Sequence, residues 1–582
     1  LSGTRPATNA YSVNTYIDYE EAGVPNNSAV SQDILIENVH LKGGSGFFCH
    51  YDYLNMDNLT IRDCTAYQIS TSFVTLSAIV GDPHNGNGTT SPGYHANVVI
   101  ENCHATAAKS NPLYGVEDYI PHGIFLDMVC GYTVRNCVIE GFAHGIMVPD
   151  HAYYHGATYG DTDGVQDSWG TIEGNTFVKS GHSGITCYST TVGSSSDEHE
   201  RPRGTTRILN NHIESNCYLR PGGAVAAGHA WEQQYAMPAI AAYGIDIEID
   251  GNTISRLLVP GPPASPDNDV DHPLIMCGAH TGVDYARNMR VTNNRNHSWM
   301  GHGFINMKTS KNSYVSGNSE DLDTRPHSAQ AGTVLHENQY SIYMDRVTSV
   351  TISDNVFASQ LYVTDTYNNE NYNVTVANNV FCGYTDFPVK TSAWAVGDPS
   401  VTSKNLLVTG NKFNGMTLNF SASGDSNARN TSSTQVIGNN FCRNPLSSTI
   451  AKGGTINLSP TAIFSKIDNC IISDNLTGGG DINVMLFKDS ATIGSSGGNT
   501  IYSTPEYYGV AISNNNLLYD RIQINTLSDT TLVGGASGYD NGHHEKYGDY
   551  TGGRIVMQGF PRNCIIKDNN VGAGILDTWG GI

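Results

Sequence analysis

A short motif recurs along most of this chain: a β-branched residue, two small or polar residues, and then an asparagine. Ile352-Ser-Asp-Asn355 is one copy and Ile172-Glu-Gly-Asn175 is another. A tighter form, with the turn residue one position closer, includes Ile36-Glu-Asn38 and Ile61-Arg-Asp63. Eleven long copies and five tight copies extend from residue 36 to residue 569. This repeat constrains the fold most strongly, because repeated units bury their apolar residues against one another.

The spacing of the copies indicates what one unit contains. The shortest intervals are 25 residues, from 38 to 63, and 24 residues, from 355 to 379. Such an interval accommodates three short strands and three turns, with asparagine in a turn position that requires a left-handed backbone. The pattern therefore predicts an all-β fold, a single-stranded parallel β-helix (solenoid) of about sixteen or more rungs.

Intervals longer than the bare rung indicate inserted loops. Residues 1–30 carry no repeat and are expected to form an entry or cap segment, and residues 31–582 are expected to form the β-helix body. Loops on successive rungs can form the two sides of a groove, and functional residues concentrate on such loops. The predicted insertions lie around 104–121, 149–168, 188–205, 218–244, 257–286 and 518–562.

Composition excludes several partners. The formal net charge is −23, from 31 basic and 54 acidic residues, which argues against nucleic acid. No apolar run approaches the roughly 20 residues that span a bilayer, so no membrane insertion is expected. The chain begins at Leu1 without a signal-type segment, as a processed product or a fragment would. No metal-binding spacing is complete, so neither a metal nor a cofactor is expected.

Three cysteines follow tight-copy turns directly. Cys64, Cys103 and Cys137 share this position and are predicted to stack inside the solenoid as free thiols.

Carboxylates near the predicted groove are the candidate catalytic groups. Neighbouring rungs place equivalent side chains about 4.8 Å apart, and alternate rungs about 9.6 Å apart. Those separations bracket the carboxylate pairs of retaining and inverting glycosidases. The alternative for each carboxylate is simple solvation in a loop. The candidates are Asp127, Asp150, Asp163 and Asp167.

Histidines and aromatic residues in the same region are candidates for substrate binding. His144 and His182 precede turn glycines and either face a substrate or serve as polar corner residues. Aromatic rings suit stacking on sugars, and the alternative for them is ordinary loop packing. The aromatic candidates are Tyr153, Tyr154, Trp169, Tyr188 and Trp231.

Through these repeats the chain resembles the pectate-lyase-like right-handed parallel β-helix superfamily, and within it the bodies of bacteriophage tailspikes and capsule depolymerases. The resemblance implies a homotrimer in a virion tail, or alternatively a secreted protein. It also implies host recognition through a bacterial surface polysaccharide, capsule or O-antigen. Together with the candidate carboxylates, it predicts a glycoside hydrolase. The alternatives are a polysaccharide lyase acting on a uronate-containing glycan and a non-catalytic adhesin or structural fibre.

Overall fold

The structure is a computed structural model of the 582-residue chain. It describes these residues: 11–15, 30–44, 46–51, 55–77, 95–108, 122–127, 129–149, 168–180, 183–189, 204–214, 238–255, 273–279, 286–297, 304–320, 340–357, 360–364, 371–381, 392–396, 403–413, 417–420, 430–441, 454, 456–458, 466–478, 480, 482–485, 495–496, 499–500, 506–517, 555–558, 560–562, 564–570 and 575–577.

Each rung contributes strands to three parallel sheets in turn, numbered 1 to 3 in chain order. In one rung, Asn55–Arg62 belongs to sheet 1, Thr65–Ile69 to sheet 2 and Val74–Ser77 to sheet 3. Strands from successive rungs pair in parallel, as Val30–Glu37 does with Asn55–Arg62. The predicted right-handed parallel β-helix is therefore confirmed. No helical span that could cross a membrane occurs in the described ranges.

The chain divides into two compact units, of which the first is mostly residues 1–311 and the second mostly residues 312–582. Part of the predicted entry segment, Tyr11–Thr15, pairs with Gly46–Tyr51 and so belongs to sheet 3.

The first unit contributes strands to all three sheets. Those of sheet 1 are Val30–Glu37, Asn55–Arg62, His95–Ala96, Val99–Glu101, Val129–Arg135, Trp169–Glu173, Thr206–Leu209, Ile247–Asp250, Ala286–Arg287, Arg290–Thr292 and Ser310–Ser316, in which the unit ends. Those of sheet 2 are His40–Lys42, Thr65–Ile69, His104–Ala107, Val138–Glu140, Thr176–Val178, His212–Glu214, Thr253–Ser255 and Arg295–Asn296. Those of sheet 3 are Tyr11–Thr15, Gly46–Tyr51, Val74–Ser77, His122–Leu126, His144–Val148, Ser183–Tyr188, Ile240–Tyr243, Ile275–Gly278 and Ile305–Lys308.

The second unit repeats this order. Its further sheet 1 strands are Thr348–Ser353, Asn371–Tyr372, Thr375–Ala377, Ser403–Lys404, Leu407–Thr409, Asn430–Ser432, Gln435–Ile437, Lys466–Asp468, Ile471–Ser473, Glu506–Tyr508, Ala511–Ser513, Phe560–Arg562 and Ile565–Lys567. Its sheet 2 strands are Ser319–Glu320, Val356–Phe357 and Val380–Phe381. Its sheet 3 strands are Tyr340–Asp345, Gln360–Thr364, Ser392–Val396, Thr417–Phe420, Ile456–Leu458, Ile482–Met485, Ile555–Gln558 and Ile575–Asp577. A separate antiparallel pair joins Ser495–Ser496 to Asn499–Thr500.

The turn between sheets 1 and 2 explains the sequence motif. Its first residue has a positive φ and is Gly174 in one rung (φ 65°) and Asp354 in another (φ 58°). The next residue is the buried asparagine of the long copies, such as Asn175 or Asn355. In four of the five tight copies the turn residue itself has the positive φ, as Asn102 does at 53°, whereas in Leu209-Asn-Asn211 the positive φ belongs to Asn210 and Asn211 joins the ladder. The two forms are therefore one turn in which the second position differs.

Buried asparagines at this second position form a hydrogen-bonded ladder from rung to rung. Asn379 is typical: its Nδ2 donates to Oδ1 of Asn411 at 3.0 Å and to the Ile352 carbonyl at 2.9 Å. Its Oδ1 in turn accepts Nδ2 and the backbone N–H of Asn355 at 2.9 and 3.0 Å. Each amide is thus satisfied on both sides, as a buried polar group requires. The ladder asparagines are Asn175, Asn211, Asn252 and Asn294 in the first unit, and Asn318, Asn355, Asn379, Asn411, Asn439, Asn475, Asn515 and Asn569 in the second.

The cysteine row occupies this same position in the first rungs. Cys64, Cys103 and Cys137 are buried free thiols, as predicted. The backbone N–H of Cys137 donates to Asn175 Oδ1 at 2.9 Å, so the row leads directly into the asparagine ladder. A hydrogen bond with Cys137 and burial raise the pKa of Cys103, which keeps this thiol protonated.

The outer face of sheet 1 carries charges that alternate from rung to rung. Arg62 lies 2.7 Å from Glu37, and Arg135 lies 2.5 Å from Glu101. Arg62 is in register with Glu101, and Arg135 is in register with Glu173. This part of the outer face is therefore a charged, solvent-facing surface.

Candidate functional site

Four of the eleven predicted site residues lie in the described part of the chain, namely Asp127, His144, Trp169 and Tyr188. The other seven lie outside the described residues: Asp150, Tyr153, Tyr154, Asp163, Asp167, His182 and Trp231.

Sheet 3 of the first unit presents an outer face whose side chains follow from strand alternation. On Ser183–Tyr188, the Cys187 thiol lies 3.2 Å from the hydroxyl of Tyr132, a core residue of sheet 1, and so points inward. Successive side chains of a strand point to opposite faces. Thr186 and Tyr188 therefore point outward.

Register between strands aligns one outward row across this face. Tyr188 is in register with Tyr243, Tyr243 with Gly278, and Gly278 with Lys308. In the other direction, Thr186 is in register with Met147, and Met147 is in register with Phe125. Asp127 follows Phe125 by two residues, as Tyr188 follows Thr186. Asp127 therefore belongs to the same row, two rungs from Tyr188. We call this line, from Asp127 to Lys308, the tyrosine row.

The centre of the tyrosine row is an aromatic pair. The rings of Tyr188 and Tyr243 lie 4.9 Å apart between centroids and are inclined by 33°. Ala241, Met147 and Met276 pack against them. The Tyr243 hydroxyl donates to Met276 Sδ at 3.2 Å, and burial raises the pKa of Tyr243. The phenol therefore stays a hydrogen-bond donor at neutral pH.

Buried histidines lie at the start of the same face. The rings of His122 and His144 are 5.2 Å apart, and Nδ1 of His144 lies 2.8 Å from Ser183 Oγ. Thr186 Oγ1 lies 2.6 Å from that same serine oxygen. Burial lowers the pKa of His144 to about 4, and burial with the neighbouring His144 lowers the pKa of His122 well below its usual value. Both rings are therefore neutral at pH 7.

Asp127 and Trp169 have different surroundings from one another. Asp127 follows the strand His122–Leu126 directly and is fully buried, and its backbone N–H donates to the Leu76 carbonyl at 2.9 Å. Trp169 begins a strand of sheet 1 and is half-buried. A Cβ on Gly204 would collide with the Trp169 indole, which places this ring over the next rung of sheet 1. Trp169 is therefore not part of the tyrosine row.

Charge is nearly absent from this face. The sheet 3 strands of the first unit, from Tyr11–Thr15 to Ile305–Lys308, contain one formally charged residue, Lys308. Asp127 adds a second at the other end of the tyrosine row. In a chain of net charge −23, the outward side chains of this face include aromatic, hydroxyl and neutral imidazole groups, and Tyr188 and Tyr243 are each buried, with 8% of their surface exposed. No group of three or more metal-ligating side chains occurs among the residues that the structure describes.

Sequence reasoning missed Tyr243, Lys308 and Ser183. A usable signal existed for the tyrosines, because Ile185-Thr-Cys-Tyr188 and Ile240-Ala-Ala-Tyr243 end two strands in the same way. The long interval between them concealed that they lie on adjacent rungs.

No family model matches this chain, and no curated protein matches it either. Among solved structures, it is similar to PfbA, a surface adhesin of Streptococcus pneumoniae, at 9% identity and a TM-score of 0.31, covering 83% of this chain and 86% of that one. It is similar to the Dettilon tailspike protein at 10% identity and a TM-score of 0.29, covering 80% of this chain and 60% of that one.

A third similar structure is a tailspike protein of Acinetobacter baumannii bacteriophage Fri1, described as a capsular polysaccharide depolymerase. That similarity has 9% identity and a TM-score of 0.26, covering 74% of this chain and 63% of the tailspike. The fold that the predicted resemblance implies, a parallel β-helix, is the fold that the three parallel sheets show. At these identities, likeness concerns the fold alone.

Proposed function

We propose that this chain binds a bacterial surface glycan along the tyrosine row and depolymerises it, as a tailspike-like receptor-binding protein. The inclined ring pair of Tyr188 and Tyr243, each 8% exposed on an outer face with few formal charges, supports this proposal most directly. Phenol rings offer a flat apolar surface to sugar CH groups and a hydroxyl to sugar oxygens. A polymer that lies across several rungs of this face would contact both rings.

The reaction that we propose is glycoside hydrolysis. One carboxylic acid protonates the glycosidic oxygen, while a second carboxylate activates water or attacks the sugar. Asp127 is our first candidate because it ends the tyrosine row. Its partner is proposed among Asp150, Asp163 and Asp167. Asp150 directly follows Pro149, which extends the strand next to that of Asp127.

Binding is tested with purified capsular polysaccharides and lipopolysaccharide O-chains immobilised as an array. We expect Tyr188→Leu and Tyr243→Leu each to weaken binding about tenfold, since ring stacking contributes about 1 kcal/mol or more. Tyr67→Leu is the matched control, because Tyr67 is 38% exposed on sheet 2, away from this face. Equal binding by all three variants, each folded by circular dichroism, would contradict the proposed surface.

Chemistry is tested on the glycan that binds. Hydrolysis releases reducing ends without new ultraviolet absorbance, and Asp127→Asn should abolish that release while leaving binding in place. A rise in both signals would instead support a polysaccharide lyase. Binding without either signal would support a non-catalytic adhesin.

Assembly belongs to the same proposal. A tailspike-like protein in a virion tail is expected to be a homotrimer, and a secreted enzyme need not be. Sedimentation equilibrium of the 62.6 kDa chain distinguishes a trimer from a monomer, and a monomer would count against the virion assignment.

A further inference from the structure

The strand Ile305–Lys308 closes the outer face of sheet 3 in the first unit, two rungs beyond Tyr243. Lys308 lies in the tyrosine row through Gly278. Asn306 lies in the neighbouring outward row, in register with Met276 and Ala241. Both side chains therefore share the face of the tyrosine pair, about two rungs or roughly 10 Å along it.

The side-chain oxygen of Asn306 is a buried acceptor without a hydrogen-bond donor among the described residues. This Oδ1 atom is inaccessible to solvent, although the side chain as a whole is only half-buried. Leaving a buried acceptor unsatisfied destabilises a fold by about 1–3 kcal/mol. A hydrophobic residue of the same size would avoid that cost, so this oxygen is available to a hydroxyl donor that the described residues do not supply.

Lys308 is an available donor beside it. The side chain is half-buried, and its ammonium forms no ion pair with any residue in the described ranges. Strand geometry sets the Cα atoms of Asn306 and Lys308 roughly 7 Å apart, with both side chains on one face. The pair therefore offers one acceptor and one donor side by side, and a sugar ring carries hydroxyl groups that can bond to both.

Gly278 keeps the space between the tyrosine pair and Lys308 open. Its φ is +118°, and a Cβ there would collide with the Lys308 carbonyl oxygen. In the tyrosine row, Gly278 therefore lies between Tyr243 and Lys308 without a side chain. The space above it leaves room for a sugar.

We propose that Asn306 and Lys308 form a sugar subsite, in which the amide oxygen accepts a hydroxyl proton and the ammonium donates to a sugar oxygen. This inference depends on the proposed glycan binding and extends it by one pyranose beyond the tyrosine pair. The unsatisfied oxygen of Asn306 is retained at the expense of stability because a bound sugar satisfies it.

The test combines stability and affinity in one variant. Asn306→Leu should raise the thermal midpoint by about 2–4 °C, since an unsatisfied buried oxygen is removed. The same variant should bind about tenfold more weakly to the glycan of the panel for which the wild-type protein has the highest affinity. Lys308→Met should also lower the affinity for that glycan, and it should not raise the thermal midpoint.

Two controls isolate the effect. Thr434→Val removes another buried hydroxyl without a hydrogen-bond partner among the described residues, this time in the second unit. It should raise the midpoint similarly and leave affinity unchanged. Lys311→Met removes an exposed lysine of sheet 1 close in sequence and should change neither property.

The outcomes separate this inference from the proposed function. Unchanged affinity in Asn306→Leu, or a lowered thermal midpoint, would overturn the subsite while the tyrosine variants still report on glycan binding. An affinity loss in Thr434→Val equal to that in Asn306→Leu would overturn it as well. If wild-type binds no glycan of the panel, the subsite and the proposed function both fail.

Discussion

Replacing Asn379 by alanine tests whether the asparagine ladder stabilises the second unit. The Asn379 side chain accepts two hydrogen bonds from Asn355, one from its backbone N–H and one from Nδ2. It donates two more, to Asn411 and to the Ile352 carbonyl. Truncation leaves the Asn355 backbone N–H and one proton of its Nδ2 buried without an acceptor, while Nδ2 still donates to the Val315 carbonyl at 3.1 Å.

The expected loss follows from those two donors. Each buried, unsatisfied group costs about 1–3 kcal/mol, so Asn379→Ala should destabilise the rungs around it by about 4 kcal/mol. Asn379→Asp should be worse, because a buried carboxylate oxygen would face Asn411 Oδ1 and the Ile352 carbonyl. Lys412→Ala, at an exposed position one rung away, should change stability by less than about 0.5 kcal/mol.

Amide hydrogen exchange measures this effect locally, without assuming that the whole chain unfolds in one step. Protection of the Asn355 amide should fall by roughly a thousandfold in Asn379→Ala, since every 1.4 kcal/mol corresponds to a factor of ten. Protection that falls less than tenfold would refute the reasoning, because the ladder would then contribute little beyond the sheet hydrogen bonds.

Further expectations concern single positions in the first unit. Cys137→Asn should extend the ladder by one rung and raise stability by about 1 kcal/mol, measured by urea denaturation, because the new amide can donate to Asn175 Oδ1. Gly278→Ala should destabilise by more than about 2 kcal/mol in the same assay, since its Cβ would collide with the Lys308 carbonyl oxygen. The pKa of His144 is lowered to about 4, so the unfolded chain binds its proton first as the pH falls. Stability should therefore decrease by about 2 kcal/mol between pH 7 and pH 5, and His144→Gln should reduce this dependence.

The fold could be predicted because its determinants are local and repeated. Ile352 and Val376 are the same strand residue in successive rungs, and each is followed by a positive-φ residue and a buried asparagine. What the pattern did not resolve was the equivalence of its two forms. Asn102 ends a tight copy and has the positive φ, whereas Cys103 after it occupies the ladder position.

The candidate site was predictable only in part, because contacts between rungs depend on register rather than on sequence distance. Tyr188 was identified, whereas Tyr243, whose ring lies against it, was not, since the interval between them exceeds a bare rung. Asp127 was chosen as a carboxylate near the predicted groove, and its complete burial could not be read from the sequence. The roles of the predicted site residues remain predictions.

The alternating charges on sheet 1 have a consequence for how this solenoid can change in length. Glu37, Arg62, Glu101, Arg135 and Glu173 follow one another in register, so each acidic side chain has basic neighbours on adjacent rungs. Removing the rung of Arg62 alone would set Glu37 against Glu101, and like charges directly opposite are destabilising. Removing the rungs of Arg62 and Glu101 together would set Glu37 against Arg135 and keep the alternation. In this part of the chain, rungs are therefore expected to be gained or lost in pairs, an even-number rule imposed by electrostatics rather than by the core.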